Sequence, residues 1–407
     1  MKKILAIAFV LVMVFALAAC AADPAPAPVE EAPAPAPEPA PEPAPAPEPD
    51  DEPDDAEEPD GAMTSYGIIS WNEGEIPLAL ITDYGDIDDE SYNQGAWEGL
   101  LEFAVPRGIP HEFFRPVERG STEANLDSIS QAIAAGAQVI VTPGFLFAES
   151  IYEAQQLWPD LKIVLLDTLP TPAGGGEPVI GANVAAVLYA EEQPGFLAGY
   201  AAVMEGYRSL GYVGGMPGPS LVRFGSGFVQ GAEYAAAELG LAPGEVTVRY
   251  NYLGSFAPSP EAQAMAAGWF ADGVEIIFAA AGGAGMSVFA AADAVGGTVI
   301  GVDVDQGHHS ENIITSALKE LRPSVRQMLE AAFGGTFEGG RTHMMDATNE
   351  GIGLPRNFDR FNTFTEAMYD DVFNRMATGA LVVNASIDEI NPADMIDFEL
   401  VTVTFIG

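Results

Sequence analysis

The residues best equipped for ligand chemistry lie between Ile81 and Trp97, in the run ITDYGDIDDESYNQGAW. An apolar stretch, Pro77–Ile81, delivers Asp83 to a turn carrying Gly85 and three further acids, Asp86, Asp88 and Asp89. Tyr92, Asn93 and Gln94 then open an amphipathic segment. Strand, polar turn and helix start form the arrangement by which open α/β sheets bring ligand-contacting groups to their carboxyl edge. Asp83, acceptor-only when ionised, can take two donated hydrogen bonds from the edge of a heterocycle; its plainer role is that of a turn or cap acid. Tyr92 offers a ring for stacking, worth about 1–3 kcal/mol against a base, and Asn93 both donates and accepts. A carboxylate, a ring and a carboxamide suit a small polar ligand with a flat face. The other three acids lack the alternating spacing, glycine and distant Glu of a calcium loop. At least two of them are expected to cap the next helix and favour its dipole.

Other candidates sit at comparable places further on. Phe145 follows an apolar run and a Pro-Gly turn, and Phe224 is expected in a loop after another strand; either ring can close on the second face of a flat ligand. Asp167 ends the run Ile163–Asp167 and can reach the ligand or the hinge. Asp303 ends Val299–Val302, where a carboxylate can accept both hydroxyls of a ribose diol and Lys319 can donate to the same oxygens. A plain salt bridge between lobes is the competing role for that pair. Gly282, Gly283 and Gly285 follow a strand and open a helix. They lack the Gly-Lys-Ser/Thr ending of a phosphate loop and the three-glycine dinucleotide spacing, but their N–H groups near a helix start can hold a hydroxyl or carbonyl.

Enzyme signatures are missing. No serine stands in Gly-x-Ser-x-Gly, and the four histidines form no His-Glu-x-x-His. His308 and His309 are adjacent, and adjacent side chains in extended chain point apart, so no metal site is expected of them. The expectation is a binding protein with no catalytic residue, no cofactor and no metal.

The Asp83–Trp97 run resembles the basic-membrane-protein (BMP) family of substrate-binding lipoproteins, the PnrA-like nucleoside-binding components of ABC importers. It matches the family pattern D-x-G-x-[IV]-D-D-x-S-[FY]-N-Q-x-x-W, with Tyr92 where Phe is more usual. Further stretches in the family's order are VTPGF, LLD, EEQPGFLAGYAA, GYVGGM with RFGSGF, AAGGAGMSVF, VIGVDVDQ and TSALK, so that the resemblance spans about residues 76–390. It implies a ligand-binding set of Asp83, Tyr92, Asn93, Phe145, Asp167, Phe224, Gly282, Gly283, Asp303 and Lys319, with Asp303 and Lys319 on the ribose. It implies a purine nucleoside as ligand and a permease and its ATPase as partners. A same-fold binder or sensor for a sugar or other small polar ligand is the alternative.

The chain ends and composition are compatible with that class. Lys2 and Lys3 precede an apolar stretch, Ile4–Leu17, too short to span a bilayer comfortably. Residues 1–19 therefore read as a signal peptide. Leu17-Ala18-Ala19-Cys20 resembles a bacterial lipobox, with Cys20, the only cysteine, as the lipidated residue. Two or more acyl chains anchor stably where one does not. Residues 20–62 are Pro/Ala/Glu-rich, with no Lys or Arg, and cannot bury enough surface to offset ordering. They read as a disordered spacer, about forty residues of which reach at most ~120 Å in polyproline form. The net charge is −43, and the acidic excess persists beyond the spacer. That argues against nucleic acid and against docking on anionic lipid. The expected location is the extracytoplasmic face of the cell membrane, the expected state a lipid-anchored monomer.

From residue 76, apolar runs alternate with amphipathic segments, which implies parallel sheets with helices on both faces. About 340 residues exceed one ordinary core. The family implies a type I periplasmic-binding-protein-like venus-flytrap, two lobes joined by three hinge segments. These are expected near Ala182–Val187, Asp303–Gly307 and His343–Gly353. The N-terminal lobe is then 76–184 plus 306–342, and the C-terminal lobe 185–305 plus 343–407.

Overall fold

The computed structural model describes residues 64–83 and 86–406. The signal peptide, Cys20 and the Pro-rich spacer lie outside the described residues. A short antiparallel hairpin, β1 (Thr64–Tyr66) and β2 (Ile69–Trp71), comes first. The first lobe follows: β3 (Leu78–Ile81), α1 (Tyr92–Ala104), β4 (His111–Phe114), α2 (Thr122–Ala134), β5 (Val139–Pro143), α3 (Ala148–Leu157), β6 (Lys162–Leu166) and β7 (Val184–Tyr189). The second lobe repeats the plan with α4 (Glu192–Glu205), β8 (Ser209–Gly214), α5 (Pro219–Leu239), β9 (Val246–Tyr252), α6 (Pro260–Ala271), β10 (Ile276–Ala280), α7 (Gly285–Val295), β11 (Thr298–Asp303) and β12 (Ile313–Lys319). The chain closes with α8 (Leu321–Gly334), β13 (Arg341–Met345), β14 (Ile352–Gly353), α9 (Glu366–Ala377) and β15 (Val401–Phe405).

The first sheet is parallel throughout, in the order β13-β7-β6-β5-β3-β4. The second runs β14-β12-β11-β10-β8-β9-β15, with only β14 antiparallel. Strands such as β3, β5 and β10 are buried at every position, as expected of strands covered on both faces. In each sheet the first strand of the lobe lies between the second and the third. That reversal opens a crevice at the carboxyl edge.

The lobe boundaries differ from expectation. Ala182–Val187 was expected to be a crossing, but Val184–Tyr189 is an inner strand of the first sheet, paired on both sides by β6 and β13. Its small and branched side chains suit that doubly covered place. The chain passes to the second lobe only beyond Tyr189. Nor is Asp303–Gly307 a crossing. A turn closed by His309 N–H to the Gln306 carbonyl, at 3.1 Å, sends the chain back into the second sheet as β12. The second crossing falls between Lys319 and Leu321. The third lies between Met345 and Ile352, within the expected span, and leaves β13 with the first lobe.

Helices α4 and α5 are the closest-packed pair of the second lobe, and glycine is the reason. A Cβ on Gly195 would lie 2.2 Å from the Phe224 carbonyl oxygen, and one on Gly199 1.9 Å from that of Phe228. Reciprocally, a Cβ on Gly227 would lie 2.1 Å from the Glu192 oxygen, and one on Gly231 2.0 Å from that of Phe196. The four bare positions let backbone meet backbone, and this contact aims the first turns of both helices at the cleft. Gly199→Ala should destabilise the fold by about 1–3 kcal/mol, the range for overpacking a filled contact. Urea unfolding of the variant checks this; an unchanged midpoint would show that the helices can part without cost.

Candidate functional site

Four strand ends converge between the sheets. β3 leads to Asp83, β6 to Asp167, β11 to Asp303 and β12 to Lys319. Asp167 and Asp303 each follow or end the fourth strand of their lobe, and each has φ +65°. Left-handed backbone is uncommon for a side-chain-bearing residue, though Asp and Asn tolerate it best. Such strain gathers at functional sites.

The start of α1 supplies the wall above Asp83. Asp89 takes the cap: its carboxylate accepts the N–H groups of Ser91, Asn93 and Gln94, each at 3.0 Å. Asp86 does not cap as expected, because it pairs with Arg115 and Arg119, and Asp88 is exposed. With the cap filled, Asp83 is left to the cleft. Its Oδ1 accepts from Asn93 Nδ2 at 3.1 Å. Its other oxygen packs on Gly144, where a Cβ would come within 2.1 Å. The Tyr92 hydroxyl is buried and has no hydrogen-bond partner among the described residues; the same holds for Asn93 Oδ1 and Asp167 Oδ1. Burial pushes the Tyr92 hydroxyl well above its usual pKa, with Asp167 adding to it, so it stays a donor.

Lys319 is the electrostatic centre. Its side chain is only 2% exposed, and Nζ lies 2.5 Å from Asp167, 3.2 Å from Glu191 and 3.9 Å from Asp303. The same ammonium sits 4.9 Å from the centre of the Tyr92 ring and 5.3 Å from those of Tyr189 and Phe224. The three carboxylates hold it protonated against its burial. Arg223 adds a second cation, 3.3 Å from Glu191, but two cations still do not balance three acids. Burial accordingly pushes Asp303 up to about 6, with Lys319 opposing, and raises Asp167 as well. Next to Glu191, at the start of α4, burial pushes the Glu192 carboxyl up to about 7.

The lobes meet across the cleft. Ser91 Oγ donates to Asp303 Oδ2 at 2.7 Å, Ser220 Oγ to Asp167 Oδ2 at 3.2 Å, and Gln306 Nε2 to the Glu90 carbonyl at 2.7 Å. What they enclose is a cavity of about 290 Å³, near the lower end of small-molecule sites, which start at roughly 300 Å³.

All ten expected residues line this one cavity. Two stand elsewhere than the sequence suggested. Phe224 is in the second turn of α5, 1% exposed, because RFGSGF continues the helix begun at Pro219. Lys319 was expected on the Asp83 side, but it ends a strand of the second lobe. Trp97, the last residue of the Asp83–Trp97 run, packs on Phe113 and does not line the cavity. Sequence reasoning missed Glu191, Ser91, Ser220, Arg119 and Phe256. Ser220 and Phe256 follow β8 and β9 at the carboxyl edge, so the rule that found Asp83 applies to them too.

Residues 76–384 match the model of the Bmp family, described as ABC transporter substrate-binding protein PnrA-like. The chain belongs to this family. Among relatives of the Bmp protein, the "ABC transporter nucleoside-binding protein BmpA" of Lactococcus lactis is 26% identical over 69% of this chain and 81% of its own length. Basic membrane protein A1 of Borrelia garinii is 28% identical over 76% of this chain and 89% of its own. A solute-binding protein of an ABC transporter system from Aeropyrum pernix superposes with a TM-score of 0.67 at 22% identity, covering 79% of this chain and 96% of that one. The last likeness establishes the fold alone: a periplasmic-type solute-binding architecture. As a Bmp protein, the chain is a substrate-binding protein of ABC transport.

Removing the Bmp protein's central cation leaves buried Asp167 and Asp303 with no other ion pair among the described residues, while Glu191 keeps Arg223 at 3.3 Å. Lys319→Met should cost about 3–5 kcal/mol of stability, measured by denaturant unfolding at pH 8; a loss under 1 kcal/mol would mean the acids are already neutral. Glu192 behaves oppositely. A carboxyl raised from 4.5 to about 7 holds its proton more tightly in the folded state. Its contribution is complete below pH 4.5 and lost as pH rises through 7. Glu192→Gln should therefore gain stability over wild type between pH 5 and pH 8, by up to about 3 kcal/mol. A pH-independent difference would overturn the assignment.

Proposed function

We propose that this protein captures a purine nucleoside between its lobes, on the extracytoplasmic face of the membrane, and delivers it to an ABC permease and its ATPase. The observation that carries this reading is the composition of the cavity wall. Tyr92, Phe145 and Phe256 line it with partly exposed rings, above a floor that includes Phe224. Beside them stand Asp83, Asn93 and a buried Asp303–Lys319 pair. A planar heterocycle joined to a polyol asks for that division. Asp83 and Asn93 would read the edge of the base, Asp303 would accept the ribose diol with Lys319 alongside, and the N–H groups near Gly282 and Gly283 would approach the same ligand closely.

The wall also argues about charge. It carries seven acids, Asp83, Asp86, Asp88, Asp89, Glu90, Asp167 and Asp303, against Arg119 and Lys319. Such a site resists a phosphate, so the proposed ligand is the nucleoside and not its nucleotide. The "nucleoside-binding" name of the Lactococcus lactis relative supports the same class. Tyr92 in place of the more usual Phe adds a hydroxyl donor for the ligand. Closure around the ligand would then be the signal the permease reads, since a ligand shifts the lobes only by its preference for the closed form. No helix of the described residues is long and apolar enough to cross a membrane. Attachment is proposed through a diacylglyceryl group on Cys20, with residues 20–62 as the spacer and a monomer as the working unit.

Isothermal titration of ligand-stripped protein tests the reading. Guanosine, adenosine or inosine should bind one to one, and ribose and the matching monophosphates should not. Asp303→Asn, which keeps the backbone preference, should weaken ribosides 10- to 100-fold, as expected for a lost charged hydrogen bond, and free bases far less. Equal losses would overturn the ribose role. Binding of sugars without nucleosides would overturn the ligand class.

A further inference from the structure

We propose that Glu90, His308 and His309 form a binding site for a divalent transition metal of the zinc type, built across the mouth of the cleft. The three side chains bring one ligating atom each to within 4.8 Å of one another. Glu90 belongs to the first lobe, immediately before α1, and the two histidines belong to the loop that follows β11 in the second. The turn Gln306–His309 is what defeats the sequence expectation that adjacent imidazoles diverge. It folds the pair back so that the ring centres are 3.8 Å apart and both rings face the same carboxylate.

Two of the three ligand–ligand distances suit a shared ion. His309 Nε2 is 3.3 Å and His308 Nε2 3.7 Å from Glu90 Oε2. A tetrahedral zinc with bonds of about 2.0–2.1 Å has ligand–ligand edges of about 3.4 Å. His308 Nδ1 lies 3.2 Å from the Asp305 carbonyl. With that nitrogen donating, Nε2 keeps its lone pair, the arrangement in which metal-bound histidines are held. His309 Nε2 is buried and makes no hydrogen bond among the described residues. Glu90 is held in left-handed backbone, φ +55°, by Gln306 on its carbonyl and Gln94 on its N–H. Left-handed backbone is uncommon for a non-glycine residue, and such positions gather at functional sites. Two imidazoles and a carboxylate also leave the fourth position for water. His308 is 61% exposed and gives the ion a way in, while His309 is 13% exposed and gives it shelter.

The ligands come from both lobes, so the ion can be bound fully only when the cleft is shut. It would act as a clasp, and metal and cleft ligand would raise each other's affinity by one common factor. This proposal does not depend on which small molecule the cleft takes, and zinc alone tests it. Zinc is titrated into the full chain, purified without a histidine tag and treated with chelator, in competition with a chromophoric chelator. One equivalent should bind. Binding should weaken at least tenfold in His309→Ala, His308→Ala and Glu90→Gln, and stay unchanged in His343→Ala, whose imidazole lies on β13. His308 is exposed enough that its variant reports on the site even if the others unfold. Small-angle scattering should show zinc reducing the radius of gyration of the wild type but not of Glu90→Gln, which keeps both histidines on one lobe. No stoichiometric binding, a loss in His343→Ala equal to that in His308→Ala, or binding without compaction would each overturn the proposal.

Discussion

One lysine and three carboxylates define the seam of this molecule. Lys319 comes from the second sheet, Asp167 from the first, Asp303 from the neighbouring strand and Glu191 from the passage between lobes. A buried charge is tolerable only with partners at hand. Here the partners lie on both sides of the cleft, so the cation is fully satisfied only when the lobes are together. Burial, opposed by Lys319, then raises the pKa values of Asp167 and Asp303. The binding cleft and the interlobe contact are thus one electrostatic object, and a ligand that enters must negotiate with it.

The scaffold follows from that demand. Charges meeting across a cleft need rigid delivery, and every participant sits at a strand end or in the first turns of a helix. The seam of glycines between α4 and α5 brings Glu191 and Ser220 to the same place. Asp89 spends its carboxylate on the start of α1, while Asp83 lines the cavity.

The parallel sheets, the two lobes and the wall of the site were legible in the sequence because each depends on local pattern: an apolar run, a turn, a polar residue at the strand end. Asp83, Asp167 and Asp303 were found in this way. What failed depended on long-range pairing. Val184–Tyr189, with Ala185 and Ala186 in its middle, does not declare itself an inner strand until β6 and β13 flank it. Lys319 could not be assigned to a lobe without knowing that the chain turns back at Gln306. Phe224 looked like a loop residue, yet its neighbours Gly225 and Gly227 sit inside a helix, one against Tyr250 of the sheet and the other against the Glu192 carbonyl of α4. Glu191 passed unnoticed because nothing in its neighbours announces a lysine 128 positions away in the chain, a partnership visible only in the fold.

Asp167 and Asp303 occupy matching places, fourth strand of the lobe and the same left-handed backbone. The chain has built one half-site twice and turned the copies toward each other. Two like halves alone would accept a guest in either of two orientations. The single lysine, held at 2.5 Å from one copy and 3.9 Å from the other, removes that ambiguity. The two copies are therefore electrically unlike, and the cleft has a polarity that the repeat alone would not give it.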